Sequence, residues 1–295
     1  MNESATYEIL YNPHAGSGRG LEQTKAMLPL LGGAAYTLHD VTAIGDYAAF
    51  FAAMPEDARV LLTGGDGTLN HFINNTADIE IGHSVWYYPT GSGNDFWTDL
   101  GCDKAAGPVC IDQYLEGLPT VTVNGTDHRF LNGIGYGIDG YCCLVGDAQR
   151  EKTDKPVNYT AIAIKGLLFH YHPTNAVITV DGVRHEYKKV WLAPTMNGRC
   201  YGGGMIPTPD QKRLDPGREL SVMVYYGSGK IKSLAVFPSI FKGEHVRHTE
   251  MVEVLTGRDI TVEFSRPTPL QIDGETIPDV KSYRAVSHAA VPAGV

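Results

Sequence analysis

Residues 58–75, ARVLLTGGDGTLNHFINN, contain three pieces in a row. The apolar run Val60–Leu62 comes first. Gly64, Gly65 and Gly67 then surround one carboxylate, Asp66, and a helix-compatible run begins at Thr68. A strand that ends in a flexible turn and passes straight into a helix is the repeating unit of a parallel sheet with crossover helices. The same order recurs on both sides. YEILYN (7–12) reads as a strand, followed by a glycine-rich turn and a helix from about Gly20 to Leu31. AAYTLHDV (34–41) is a second strand, and GDYAAFFAAM (45–54) is a helix stopped by Pro55. SVWYYPTGSGND (84–95) is another strand leading into a glycine-rich turn.

From about residue 121 the texture changes. TVTVNGTDHRFLNGIGYG places an Asn-Gly pair between alternating apolar residues, a hairpin signal. AVITVDGVRHEYKKVWLAPTMNG, RELSVMVYYGSGK, MVEVLTGRDITVEF and PLQIDGETI alternate in the same way around glycine-centred turns. This half is expected to be mainly antiparallel β, with helices at 158–171 and 230–243. The 295-residue length suits two domains, and 43% hydrophobic with 19% charged residues is an ordinary globular composition. A net charge of −9 argues against a dedicated nucleic-acid binder. The five cysteines show no C-x-x-C pair or zinc-like spacing, which reads as reduced thiols in a cytoplasmic protein. No signal peptide is visible at the N-terminus. The apolar run AIAIKGLLF (161–169) is broken by Lys165 and Gly166, so no transmembrane segment is expected and any membrane contact is transient and peripheral.

Three glycine-rich turns follow strands: NPHAGSGRG (12–20), GGDGT (64–68) and PTGSGND (89–95). In a parallel sheet they should open at one edge, where ligands sit. Convergent N–H groups and helix N-termini there would form a phosphate cradle. Asp66 has two readings. It could act beside a polyphosphate through Mg²⁺ or by orienting a hydroxyl, or it could cap a helix. Asp95 has the same two. No G-x-x-x-x-G-K-[ST] loop and no protein-kinase H-R-D or D-F-G set is present. GIGYG (133–137) resembles the start of a dinucleotide fingerprint but lacks its context, and is set aside.

Six segments then carry a resemblance in order: YNPHAGSG, TGGDGTLNHFINN, YPTGSGNDFWTDLG, TMNGRCYGGGMIPTP, RLDPGRELSV and LQIDGE. Together they resemble the diacylglycerol kinase catalytic-domain family, in its bacterial soluble lipid-kinase branch, related to sphingosine kinases and NAD kinases. The resemblance implies an α/β nucleotide domain over 1–122, with a Rossmann- or phosphofructokinase-like parallel sheet. It implies an antiparallel β-sandwich lipid-substrate domain over 123–280, and a return to the first domain over 281–295. ATP with Mg²⁺ would phosphorylate a lipid hydroxyl, diacylglycerol giving phosphatidic acid in phospholipid biosynthesis. Nucleotide-binding positions carried over are Asn12, Pro13, His14, Ala15, Gly16, Gly64, Gly65, Gly67, Thr68, Leu69, Asn70, Gly91, Ser92, Asn94 and Asp95. Thr42 joins them only across a gap. Glu275 takes the general-base position, Asp66 supports the metal–phosphate arrangement, and Asp215 with the carbonyl of Arg213 would hold Mg²⁺.

There are departures from the family pattern. His71 stands where the family usually has Glu, Ser92 replaces Thr, and Trp97 and Thr98 replace small and basic residues. The 215–220 loop, DPGREL, carries one extra residue. His71, placed in the first turn of a helix from Thr68, could donate to a phosphate, be a polar helix residue without a direct role, or mark reduced activity or a changed substrate through the lost carboxylate. The segments 159–172 and 231–248 mix apolar and basic residues and could meet a membrane surface or pack as core helices. The implied partner is a lipid substrate at the membrane surface, with a homodimer left open and no nucleic acid. Two alternatives stand beside the lipid kinase: a NAD kinase-like enzyme, and a catalytically impaired nucleotide- or lipid-binding protein.

Overall fold

The computed structural model describes residues 6–150, 152, 157 and 159–288. The chain divides into two compact units, Met1–Glu116 and Gly117–Val295.

In the first unit β1 (Tyr7–Tyr11) leads through a four-residue turn, α1 (Ala15–Gly18), into α2 (Gly20–Met27). There follow β2 (Tyr36–Asp40), α3 (Tyr47–Ala52), β3 (Arg59–Gly64), α4 (Asp66–Asn75), β4 (Val85–Pro89) and α5 (Asp95–Leu100). The unit ends with β5 (Val109–Cys110) and α6 (Asp112–Leu115). The sheet order is β2-β1-β3-β4-β5. The first four strands are parallel, and β5 is an antiparallel edge strand that the sequence pattern did not announce. Ile9, Leu10, Val60, Leu61 and Leu62 are wholly buried, as expected of strands covered on both faces by helices. Register brings the strand ends level, with Tyr11 opposite Thr63 and Gly64 opposite Pro89.

The second unit is built from antiparallel strands. In chain order they are β6 (Thr120–Val123), β7 (Thr126–Arg129), β8 (Gly133–Tyr136), β9 (Thr174–Val180) and β10 (Val183–Val190), then β11 (Thr195–Met196), β12 (Leu220–Tyr225), β13 (Val252–Gly257), β14 (Asp259–Ile272) and β15 (Glu275–Val286). They form one sheet in the order β13-β12-β11-β8-β14-β15-β6-β7, with β9 joining β10 to β14. Val121, Tyr136, Ile178, Val190, Val222, Val262 and Tyr283 share one core, so the sheet folds over onto itself in the manner of a sandwich.

Among the described residues of this unit there are three α-helices: α7 (Ile138–Arg150), α8 (Tyr159–Lys165) and α9 (Lys230–Val236). The last two fall within the expected helical segments. The first was not expected. Its Ile138, Cys142 and Val145 line one face at helical spacing and pack with Ile162, Leu167 and Tyr171.

The domain limits also differ from the sequence reading. The division falls at Glu116/Gly117 because Thr120–Val123 pair with Tyr283–Val286. The expected return of 281–295 to the first domain is not what its described residues do. Lys281–Val286 complete β15 inside the antiparallel sheet, and 289–295 lie outside the described residues.

Candidate active site

At the carboxyl edge of the parallel sheet the three glycine-rich turns touch one another. Asn12 Nδ2 donates to Thr68 Oγ1 at 2.9 Å, tying the turn after β1 to α4. A Cβ placed on Gly16 would lie 2.7 Å from the Thr90 carbonyl oxygen, so the first turn rests on the third. The second and third turns meet backbone to backbone. A Cβ on Gly91 would lie 2.4 Å from Gly65 Cα, which explains glycine at both positions. The Gly64 carbonyl accepts from the N–H groups of Thr90 and Gly91, at 2.7 and 3.0 Å.

Asp66 locks the last two turns together. Its Oδ2 accepts from Asp95 N–H at 2.8 Å and its Oδ1 from Phe96 N–H at 3.0 Å. These are the first N–H groups of α5, which its own helix cannot satisfy. Asp66 is thus a helix cap, but of the helix that starts 29 residues later rather than of its own. Burial first, and then the charge of Asp66, push the Tyr87 phenol upward, so Tyr87 stays neutral and donates to Gly64 O at 3.2 Å. Two polar atoms at this edge, Thr90 Oγ1 and Asn94 Oδ1, are buried without a hydrogen-bond partner.

The remaining candidates separate by position. His14 and Ser92 are exposed at the edge, with Pro13 and Ala15 partly so, and Gly67 lies in the first turn of α4. Thr42 stands one strand farther out, its hydroxyl and N–H both donating to Asp40 Oδ1. Thr68, Asn70 and Asp95 are buried polar residues. Leu69 is wholly buried and its N–H returns to Gly65 O, so its part is packing.

In the second unit Asp273 and Gly274, both with left-handed backbone, form the two-residue turn between β14 and β15. The Asp273 carboxylate accepts from the N–H groups of Leu131, Asn132 and Gly133, at 2.6, 2.8 and 3.0 Å. Glu275 opens β15 and is exposed. The turn that carries the expected base is therefore pinned to the strand entry at 131–133.

Two residues were expected to hold Mg²⁺. The Arg213 carbonyl accepts from Arg218 Nη1 at 3.2 Å. Asp215 Oδ2 accepts from Gly217 N–H at 3.2 Å. The Arg213 guanidinium itself is buried and bonds Leu131 O and Asn132 Oδ1. Among the described residues no group of three or more His, Cys, Asp or Glu side chains could hold a metal. Adding Mg²⁺ or EDTA to the nucleotide-free protein is expected to leave Tm unchanged. A rise of roughly 3 °C with Mg²⁺, about 1 kcal/mol for a chain of this size, would count against this reading. A cavity of about 880 Å³ beside this loop is lined by Asp210, Asp215, Glu219 and Glu253, with Lys212 as its one basic residue. Its acidic wall is unsuited to a polyphosphate.

Comparison with known proteins bears on both units. The diacylglycerol kinase catalytic domain matches residues 6–123, and the YegS C-terminal NAD kinase beta sandwich-like domain matches residues 133–293. A diacylglycerol kinase of Mycobacterium tuberculosis is 30% identical over 216 residues, covering 70% of this chain and 67% of that protein. The chain belongs to the diacylglycerol kinase catalytic-domain family. Family membership makes it a lipid kinase in class. A Bacillus subtilis diacylglycerol kinase is 25% identical over 277 residues, covering 90% of this chain and 88% of that one. The fold matches a solved structure of a putative diacylglycerol kinase from Bacillus anthracis, with a TM-score of 0.65 at 21% identity over 100% of both chains.

Within this diacylglycerol kinase family member, α4 begins at Asp66, two residues earlier than the sequence suggested. His71 is therefore exposed in the second turn, beyond the reach of the strongest helix-dipole effect. In the kinase domain Gly91 meets Gly65 backbone to backbone. Gly91→Ala is expected to destabilise the protein by about 1–3 kcal/mol in urea unfolding, because backbone cannot move aside cheaply. Binding of a nucleotide should weaken at least about tenfold as the turns part, since 1.4 kcal/mol is a factor of ten.

Proposed function

We propose that this protein transfers the γ-phosphoryl group of ATP, bound as its Mg²⁺ complex, to the hydroxyl of diacylglycerol, giving phosphatidic acid and ADP. The observation that carries the proposal is the mutual locking of three glycine-rich turns on β1, β3 and β4, with Asp66 bridging two of them. Such an edge offers fixed backbone donors to phosphate oxygens, and phosphoryl transfer needs positioning and charge neutralisation above all. In this reading the nucleotide-facing residues are Asn12, His14, Gly16, Gly65, Gly67, Thr68, Asn70, Ser92, Asn94 and Asp95. Glu275 takes the proton of the acceptor hydroxyl as its oxygen bonds to the γ-phosphorus, and ADP leaves with the electron pair of the broken bond.

The lipid side is supported by exposed apolar residues on the second unit. Ile164, Phe169 and Ile231 are exposed, and Lys230 Nζ donates to Leu168 O at 2.8 Å, tying α9 to the turn after α8. Lys165 and Lys232 lie on the same two helices, a combination suited to an anionic bilayer surface. Among the described residues no helix is long and apolar enough to cross a membrane.

The test is purified protein with labelled ATP, Mg²⁺, diacylglycerol, other lipid alcohols, sphingoid bases and NAD. Labelled phosphatidic acid is the expected product. Product on NAD alone would sink the lipid reading. ATP binding without product on any acceptor would favour a binding protein.

A further inference from the structure

The helix that the sequence pattern concealed carries a buried carboxyl group, Asp139, in its first turn. Gln271 Nε2 donates to Asp139 Oδ2 at 3.0 Å. The other end of the same amide, Gln271 Oε1, accepts from Gly274 N–H at 2.6 Å. Gly274 lies in the turn that precedes Glu275. A carboxylate therefore reaches the backbone of this turn through one buried amide.

Direction matters in this chain of bonds. A glutamine amide has a donor end and an acceptor end, and the two can exchange by a flip. Only one orientation aims oxygen at Gly274 N–H. The flipped form would face two donors at each other and leave both unsatisfied, at a cost of about 1–3 kcal/mol. An ionised carboxylate accepts only, so Asp139 selects the productive orientation. The packing is built around this pair. A Cβ on Gly135 would lie 1.5 Å from Asp139 Oδ2 and 2.6 Å from Gln271 Nε2, so the bare glycine makes room for both. The same helix holds the far side of the turn, where Thr276 Oγ1 donates to Asp147 Oδ2 at 2.7 Å.

We propose that Asp139 is a positioning residue: by orienting Gln271 it fixes the Gly274 backbone, and with it the point from which Glu275 projects. The inference rests on the general-base reading of Glu275 for its effect on turnover, but not for its effect on the turn. Burial raises the Asp139 carboxyl to about 6, against the lowering influence of hydrogen bonds with Gln271 and Tyr201. Other titratable groups near it are Tyr201 and, on its own helix, the Cys142 thiol, pushed up by burial and by Asp139. Asp147 and Asp273 bond the turn itself. Loss of a proton from Asp139 near pH 6 turns a group that could also donate into one that only accepts, so the amide is most firmly oriented above that pH.

The experiment reads the Gly274 amide by NMR of ¹⁵N-glycine-labelled protein, beside kinetics. In the unaltered chain its shift should titrate with a midpoint near pH 6. Asp139→Asn keeps an acceptor and should abolish the step while retaining most turnover at pH 7.5. Gln271→Met, close in volume, should move the Gly274 amide at every pH and lower kcat at least about tenfold, with KM for ATP unchanged. A Gly274 shift indifferent to Gln271→Met, or a titration that survives Asp139→Asn, would overturn the proposal. Because Asp139→Leu could fail to fold, the two near-isosteric variants carry the test. If Glu275→Gln keeps full turnover, the general-base reading fails while the amide readout still decides the role of Asp139.

Discussion

Glu275→Gln should lower kcat by about 10²–10⁴-fold, the range expected for loss of a general base. Stability should change little, because Glu275 is exposed at the first position of β15. Binding of ATP should be unaffected if Glu275 acts only on the proton of the acceptor hydroxyl. The decisive comparison is kcat against the urea midpoint for the same variant. Full turnover in Glu275→Gln would remove the residue from the mechanism. A loss of turnover matched by a loss of stability would make the effect structural.

Asp66→Ala is expected to act on both counts. It deletes the acceptor of two N–H groups at the start of α5, which should cost about 0.5–2 kcal/mol, as for other lost helix caps. It also removes one of the ties between the second and third glycine-rich turns, leaving those through the Gly64 carbonyl. Turnover should fall at least about 100-fold, comparable to removing one element of a preorganised charge-stabilising site. Asp66→Asn sharpens the result. Its amide can accept from one of the two N–H groups but presents its own donors to the other. If Asp66→Asn were as stable and as active as the unaltered chain, the bridging carboxylate would have no special part.

Much of the first unit is legible because its signals are local. Strand, glycine turn and helix follow one another within about 16 to 21 residues each, and adjacent strands bring the turns together without further information. What Asp66 does is not local. Its partners Asp95 and Phe96 belong to another turn, and no spacing rule connects them. Helix α7 was hidden for a physical reason. Gly140 and Gly146 lower its helix propensity, yet both are required by packing. A Cβ on Gly140 would lie 1.9 Å from the Pro269 carbonyl oxygen, and one on Gly146 would lie 2.6 Å from the Tyr159 ring. Asp139 went unnoticed along with its helix. The signal that could have revealed it is an acidic residue at the start of a run with Ile138, Cys142 and Val145 at helical spacing. The bond from Arg218 to the Arg213 carbonyl was not legible because a family pattern reports a loop, whereas Arg218 comes from the residues by which this loop departs.

The strand order has a consequence for how the chain is made. All strands of the first unit lie within residues 7–110, so its sheet is complete early in synthesis. The second sheet is different, because β14 and β15 sit in its middle and bridge strands β6, β8 and β9. Until these last strands emerge from the ribosome, the earlier ones present unpaired edges to the cell, for roughly ten seconds at ordinary elongation rates. Such edges invite pairing with other chains. Chaperone demand and aggregation during expression should therefore track the second unit, and a stop codon placed just before β14 should send the chain into the insoluble fraction although its first sheet is complete.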